Sequence, residues 1–192
     1  MSEVRGRILH AIEESIATKE MLRQDIEGIV ELSKLVNSSL KSGGKILLFG
    51  NGGSAADAQH IAAEFVGKYL IERRALPAIA LTTNTSSLTA IGNDYGFERV
   101  FERQVQALCS EKDVVIGIST SGNSPNVLLG MKAAKKKGAI TVGLTGKKGG
   151  RLSKSVDLAI RVPSDSTPRI QESHILIGHI LSELAETGLS KS

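Results

Sequence analysis

His60 and Glu64 stand four residues apart. On a helix that spacing places an imidazole and a carboxylate on one face, as an acid/base pair or as two ligands of a metal ion. Just upstream, Gly50-Asn51-Gly52-Gly53-Ser54 is a turn that glycine-rich backbone makes easily. It follows a short apolar run, Lys45–Phe49, with a strand's composition, and precedes an alanine-rich helix. Ser54 reads as the N-cap and Asp57, three residues later, as its capping-box partner. Strand, glycine turn and helix N-terminus together present backbone N–H groups to an anion, phosphate above all.

A second loop, Ser119-Thr120-Ser121-Gly122-Asn123-Ser124-Pro125, also follows a buried strand and opens a helix, with Ser124 as N-cap and Pro125 at the first helical position. Hydroxyls and backbone N–H groups converge there without a cationic side chain, which suits a sugar phosphate. The final helix carries Gln171, His174 and His179 in a nearly all-apolar background. His60, Glu64, Gln171 and His179 offer imidazole, carboxylate and amide oxygen, a donor set for a zinc-like divalent ion. Gln171 and His179 are separated by about 12 Å of rise on a straight helix. They meet at one ion only if the helix is irregular or if different subunits contribute. Asn93-Asp94 lies in the polar turn Gly92–Gly96. Gly50, Gly52 and Ala55 also fit a dinucleotide fingerprint. The next strand, however, ends in Leu81-Thr82-Thr83-Asn84, with no acid for a ribose hydroxyl. No Gly-Lys-Ser/Thr follows the turn, which disfavours a nucleoside triphosphate.

The elements that must position these groups follow from periodicity. Residues from about 3 to 41 read as two helices that cover a sheet and pack on another subunit. Five strands are expected at Lys45–Phe49, Pro77–Leu81, Val114–Ser119, Ile140–Leu144 and Val156–Val162, apolar and buried on both faces in the middle ones. Helices are expected at Ser54–Ile71, Phe97–Leu108, Ser124–Lys137 and Pro168 to about Glu186, with a frayed end at Gly188–Ser192. This order specifies an α/β fold, a doubly wound five-stranded parallel sheet flanked by helices, in one domain over residues 1–192. Ligands bind such sheets beyond the strands' carboxyl ends. The loops there are Gly50–Ser54, Thr82–Ser87, Ser119–Ser124 and Thr145–Gly150.

Composition narrows the partners. No apolar run nears the roughly 20 residues of a membrane span, and the N-terminus has no signal-peptide core. The single cysteine, Cys109, excludes an internal disulfide and fits a reducing cytoplasm. The net charge is +4, and the basic residues cluster mainly at Lys135-Lys136-Lys137 and Lys147-Lys148, which read as solvated charge. With 3% aromatic residues and no tryptophan, a stacking groove for nucleic acid is poorly supported.

From about Ile16 to Glu186 the chain resembles the sugar isomerase (SIS) domain family, most closely its phosphoheptose isomerases. The resemblance is carried by GNGGSAADAQHIAAEFVGKY, LTAIGNDYGFERVFERQV, GISTSGNSPNV, LTGKKGG and RIQESHILIGHIL. It implies a SIS-type αβα sandwich, a homotetramer and active sites between subunits. It implies substrate contacts at Asn51, Gly52, Gly53, Glu64, Asn93, Asp94, Ser119, Thr120, Ser121, Ser124 and Gln171. The catalytic pair would be Glu64 and His179, and the zinc ligands His60, Glu64, Gln171 and His179. Lys68 stands where some members carry arginine and receives no role. The implied reaction interconverts sedoheptulose 7-phosphate and D-glycero-D-manno-heptose 7-phosphate, a precursor of lipopolysaccharide core or other surface glycans. Glu64 as a base and as a tight ligand are in tension, so loose or substrate-shared coordination is expected. Two rivals remain: a non-catalytic SIS-type binding module, and an isomerase of another phosphosugar. The joint presence of Glu64 and His179 favours an enzyme.

Overall fold

The computed structural model describes residues 2–189. In chain order the elements are α1 (Ser2–Leu22), α2 (Ile26–Lys41), β1 (Ile46–Gly50), α3 (Gly53–Val66), β2 (Ala78–Ala80), α4 (Thr85–Tyr95), α5 (Val100–Leu108), β3 (Val114–Ser119), α6 (Pro125–Lys136), β4 (Ile140–Gly146), β5 (Leu158–Val162) and α7 (Thr167–Leu189). Short 3-10 turns sit at Arg23–Asp25, Phe97–Arg99 and Leu152–Lys154. The strands form one parallel sheet in the order β2-β1-β3-β4-β5. The expected doubly wound fold is therefore observed.

Strand periodicity sorts the core into two layers. Ile46 and Leu48 of β1 face α2, α3 and α7, packing with Leu32, Ile61, Phe65, Ile177 and Leu181. Leu47 and Phe49 point the other way, towards α5 and α6, with Val100, Phe101, Val105 and Met131. The Phe49 and Phe101 rings stack with centroids 4.8 Å apart, and Gly130 gives Phe49 the space to do so. α2 covers the sheet, as expected of the N-terminal region. α1 does not: only Thr18 and Leu22 of it are buried, while Val4, Ile8, Ile12 and Ile16 are exposed.

Several local expectations change. Gly52, at φ 56° and ψ −121°, is the residue preceding α3, and no side chain caps that helix. Ser54 is buried inside the first turn, and Asp57 forms no capping box. α3 stops at Val66, short of Ile71. Thr85–Tyr95, expected as loop and turn, is a helix capped by Asn84, whose Oδ1 accepts the Ser87 N–H at 2.9 Å. This helix buries none of its residues fully and has no apolar face strong enough to announce it. The segment joining α4 to the next helix is a 3-10 turn at Phe97–Arg99, so α5 starts at Val100 rather than Phe97. At the C-terminus Gly188 and Leu189 belong to α7, and Ser190–Ser192 lie outside the described residues.

His174 is a core residue. It is fully buried, and its Nε2 can donate to Thr145 O at 3.2 Å, while Nδ1 is buried without a partner. Burial pushes its pKa down to about 4, against a weaker opposing effect of the Thr145 hydrogen bond. Between that value and the ordinary 6.5 the unfolded chain binds a proton that the folded chain does not. Stability contributed by neutral His174 is thus lost as pH falls through this window, by roughly 3 kcal/mol for this group alone. Urea unfolding from pH 7 to 4 should show this decline, and His174→Gln should flatten it. An equal slope in both proteins would assign the decline to other groups.

Candidate active site

The loops after β1 and β3 leave neighbouring strands at the point where the strand order reverses, which opens a crevice between them. Asn51, Gly52 and Gly53 form the first wall. Ser54 and Ala55 donate backward to Asn51 O and Gly52 O at 3.0 Å each, whereas the Gly52 and Gly53 N–H groups donate to no partner among the described residues. The second wall is Ser119, Thr120, Ser121 and Ser124. Ser124 occupies the N-cap position of α6 with Pro125 behind it, but its hydroxyl meets the Ser119 hydroxyl at 3.0 Å instead of capping the helix. Asn126, which sequence reasoning missed, ties the two walls together. Its amide and that of Asn51 exchange two hydrogen bonds, at 2.9 and 2.8 Å, and Asn126 is buried.

The loop after β4 completes this end. Leu152 N–H reaches Gly122 O at 2.9 Å and Gly146 N–H reaches Thr120 O at 3.0 Å. A cleft of about 270 Å³ lies between Thr120, Ser121, Gly146, Lys147, Lys148 and Ser164. Two lysines expected as solvated charge thus line the cleft beside the serine loop, together with Asp165, which pairs with Lys148 at 3.7 Å.

The second part of the site lies along α3 and α7. His60 Nε2 is 2.9 Å from His179 Nε2 and 3.3 Å from Glu64 Oε1. One ligand atom from each of these three residues lies within 4.8 Å of the other two, a geometry that could hold a metal ion. The separation of the two imidazole nitrogens is that of a hydrogen bond, one ring donating and the other accepting. The Tyr69 ring stacks on His179, with centroids 5.4 Å apart and planes inclined by 23°. Asp57 sits one turn before His60 on α3. Burial pushes its carboxyl pKa up to about 6, partly offset by His60, and its Oδ2 has no partner.

Two glycines permit this convergence. A Cβ on Gly178 would overlap Ile61, the neighbour of His60, and a Cβ on Gly53 would overlap the Gln171 amide. Gln171 therefore lies against the glycine turn. α7 is one unbroken helix from Thr167 to Leu189, so Gln171 is about two turns from His179. Asn93 and Asp94 fall in the last turn of α4, exposed and hydrogen-bonded to each other at 2.8 Å. They make no hydrogen bond to either wall of the crevice among the described residues. Lys68 is exposed and pairs with Glu72.

A parallel sheet with two glycine- and serine-rich loops at its switch point and a His60–Glu64–His179 cluster beside them matches known proteins. The SIS domain family matches residues 11–146. A phosphoheptose isomerase of Aliarcobacter butzleri is 55% identical over 183 residues, covering 93% of this chain and 97% of that protein. The structure of the phosphoheptose isomerase of Neisseria gonorrhoeae aligns with a TM-score of 0.91 at 45% identity, covering 96% of this chain and 99% of that one. That of the Francisella tularensis phosphoheptose isomerase aligns with a TM-score of 0.93 at 38% identity, covering 96% and 98%. The chain belongs to the SIS domain family. Within it the chain stands with the phosphoheptose isomerases, and it is an isomerase.

The amide pair across the crevice is open to test. Asn126→Ala strands the Asn51 amide and should cost about 1–3 kcal/mol in urea unfolding, as expected when a buried polar group loses its partner. It should also raise KM for a sugar phosphate several-fold. A KM equal to that of the parent protein would show that the two loops hold their positions without the pair.

Proposed function

We propose that this isomerase interconverts sedoheptulose 7-phosphate and D-glycero-D-manno-heptose 7-phosphate, supplying heptose for surface glycans. The identity shared with phosphoheptose isomerases over nearly the whole chain carries this reading. The phosphate is assigned to the crevice between the glycine turn and the serine loop. There Gly52, Gly53, Ser119, Thr120, Ser121 and Ser124 offer donors, and helix N-termini add favourable field. Asn51, Asn93, Asp94 and Gln171 are assigned to the sugar hydroxyls.

The base is assigned to Glu64 and its complement to His179. Aldose–ketose exchange needs a proton taken from the carbon beside the carbonyl and a proton given to the carbonyl oxygen. Glu64 takes the proton from C1 of the ketose. His179, protonated, gives one to O2, which leaves an enediol. His179 then takes the O1 proton and Glu64 returns its proton to C2, so the cycle gains and loses no proton. His60 touches both partners and orients them. His60, Glu64 and His179 also fit a zinc ion as two imidazoles and one carboxylate, with Gln171 as a fourth ligand only if another subunit contributes. When bound, zinc would polarise the sugar oxygens and stabilise the enediolate charge.

A homotetramer with sites between subunits belongs to the same reading. The exposed apolar stripe Val4, Ile8, Ile12 and Ile16 on α1 supports it, since such a stripe marks an association surface. A single domain and a cytoplasmic location are proposed with it. No helix among the described residues is long and apolar enough to cross a membrane.

Turnover of sedoheptulose 7-phosphate is the first measurement. Glu64→Gln should lower kcat by about 10²–10⁴, the range for loss of a positioned base, with the fold retained by circular dichroism. Chelation followed by zinc addition should lower and restore turnover in the parent protein. Full turnover by Glu64→Gln would sink the assignment of the base. Absence of turnover by the folded parent protein, with and without zinc, would point to another phosphosugar.

A further inference from the structure

The segment after α3 explains how the cluster stays aligned. Residues 67–77 cross from α3 to β2 with neither helix nor strand, so their backbone groups need other partners. Glu186 provides them from α7. Its buried carboxylate accepts the N–H groups of Tyr69, Leu70 and Ile71 at 2.6, 2.8 and 3.1 Å. These bonds and Arg73 outweigh burial and hold its pKa below the usual carboxylate range. Arg73 sits between this carboxylate and the end of α3. Its Nε is 3.2 Å from Glu186 Oε1. Nη1 donates to Phe65 O and Gly67 O at 2.8 and 2.9 Å, and Nη2 donates to Glu64 O at 2.7 Å. A cation thus satisfies the last carbonyls of α3, including that of Glu64 itself.

The two ends of this clamp meet the reacting groups. Glu186 lies seven residues after His179, on the same face of α7. By gripping the Tyr69 N–H it fixes the Tyr69 ring against the His179 imidazole, which is the stack described above. We propose that the buried Arg73–Glu186 pair is a positioning device: it sets the His179 ring through Tyr69 and the Glu64 backbone through its carbonyl. Tyr69 acts through the face of its ring, so its hydroxyl is dispensable. The Arg73 and Glu186 side chains are both buried, so they act through Tyr69 and Glu64. The idea rests on the catalytic reading of Glu64 and His179, and it assigns residues that reading does not contain.

The test compares Tyr69→Leu, Tyr69→Phe, Glu186→Gln and His179→Gln in the full-length protein. Each is assayed for kcat and KM, and the metal-free proteins give histidine ring spectra by NMR at one fixed pH. The chain has four histidines, so His179 is identified by the signal missing from His179→Gln. Tyr69→Leu should lower kcat about tenfold with KM within about twofold, because misplacement of a catalytic group acts on the chemical step. It should also remove the ring-current shift of the His179 signal. Tyr69→Phe should restore both kcat and the shift. Glu186→Gln, where folded, should reproduce Tyr69→Leu in both readouts. If it does not fold, Tyr69→Leu and Tyr69→Phe still decide the question, since Tyr69 is only half-buried. A His179 signal unmoved by Tyr69→Leu, or a kcat unmoved by it while His179→Gln is inactive, overturns the proposal. Full activity of His179→Gln would instead remove the catalytic reading, and the spectra alone would then decide whether Tyr69 positions the ring.

Discussion

The crossing of α3 and α7 is the constraint on which the site depends. Both helices lie on one face of the sheet and share the core of Ile61, Phe65, Ile177 and Leu181. Their separation is set where Gly178 admits Ile61 and where Gly53 admits Gln171. Helix axes normally sit 8–10 Å apart according to the side chains between them. Removing a side chain at such a point brings the axes to the near end of that range. His60 and Glu64 on one helix and His179 on the other then fall within reach. The same crossing places Gln171 on the glycine turn. This helix packing therefore fixes the distance between the glycine turn and the His60–Glu64–His179 cluster.

Sheet topology supplies the other half. Because β1 and β3 are neighbours while their crossover helices lie on opposite faces, the loops at their ends part and leave a crevice. Each loop keeps its shape mostly through short-range hydrogen bonds, and the walls are held to one another by the Asn51–Asn126 amides and by the loop after β4. The crevice thus has a rigid floor made of strand ends. Polar side chains line it without being needed to hold the sheet together.

Strong local patterns were readable in the sequence: the apolar runs of β1, β3 and β4, the glycine turn, the serine loop, and the four-residue spacing of His60 and Glu64. What escaped depended on distant partners or on weak patterns. Lys68–Ile71 continues α3 by composition, but Glu186, far along the chain, takes the N–H groups of residues 69–71 and Arg73 closes the helix at Val66. Thr85–Tyr95 is rich in hydroxyls and lacks a buried face, so its helix is set by the Asn84 cap. Ser54 has the chemistry of a cap, but the positive φ of Gly52 moves the helix start ahead of it. Asn126 looks like any first-turn asparagine until β1 and β3 are known to be adjacent. Lys147 and Lys148 carry no sign in the sequence of which loop they face.

The scarcity of aromatic residues gives the Tyr69–His179 stack an optical consequence. The chain has no tryptophan and two tyrosines. One of them, Tyr95, lies under the Arg103 guanidinium on the outer edge of α4 and α5, and the other stacks on the His179 imidazole. Tyrosine emission of the protein therefore comes from two rings in unlike electrostatic surroundings, one of them at the candidate site. The site carries its own chromophore, and no dye or added tryptophan is needed to watch its occupancy.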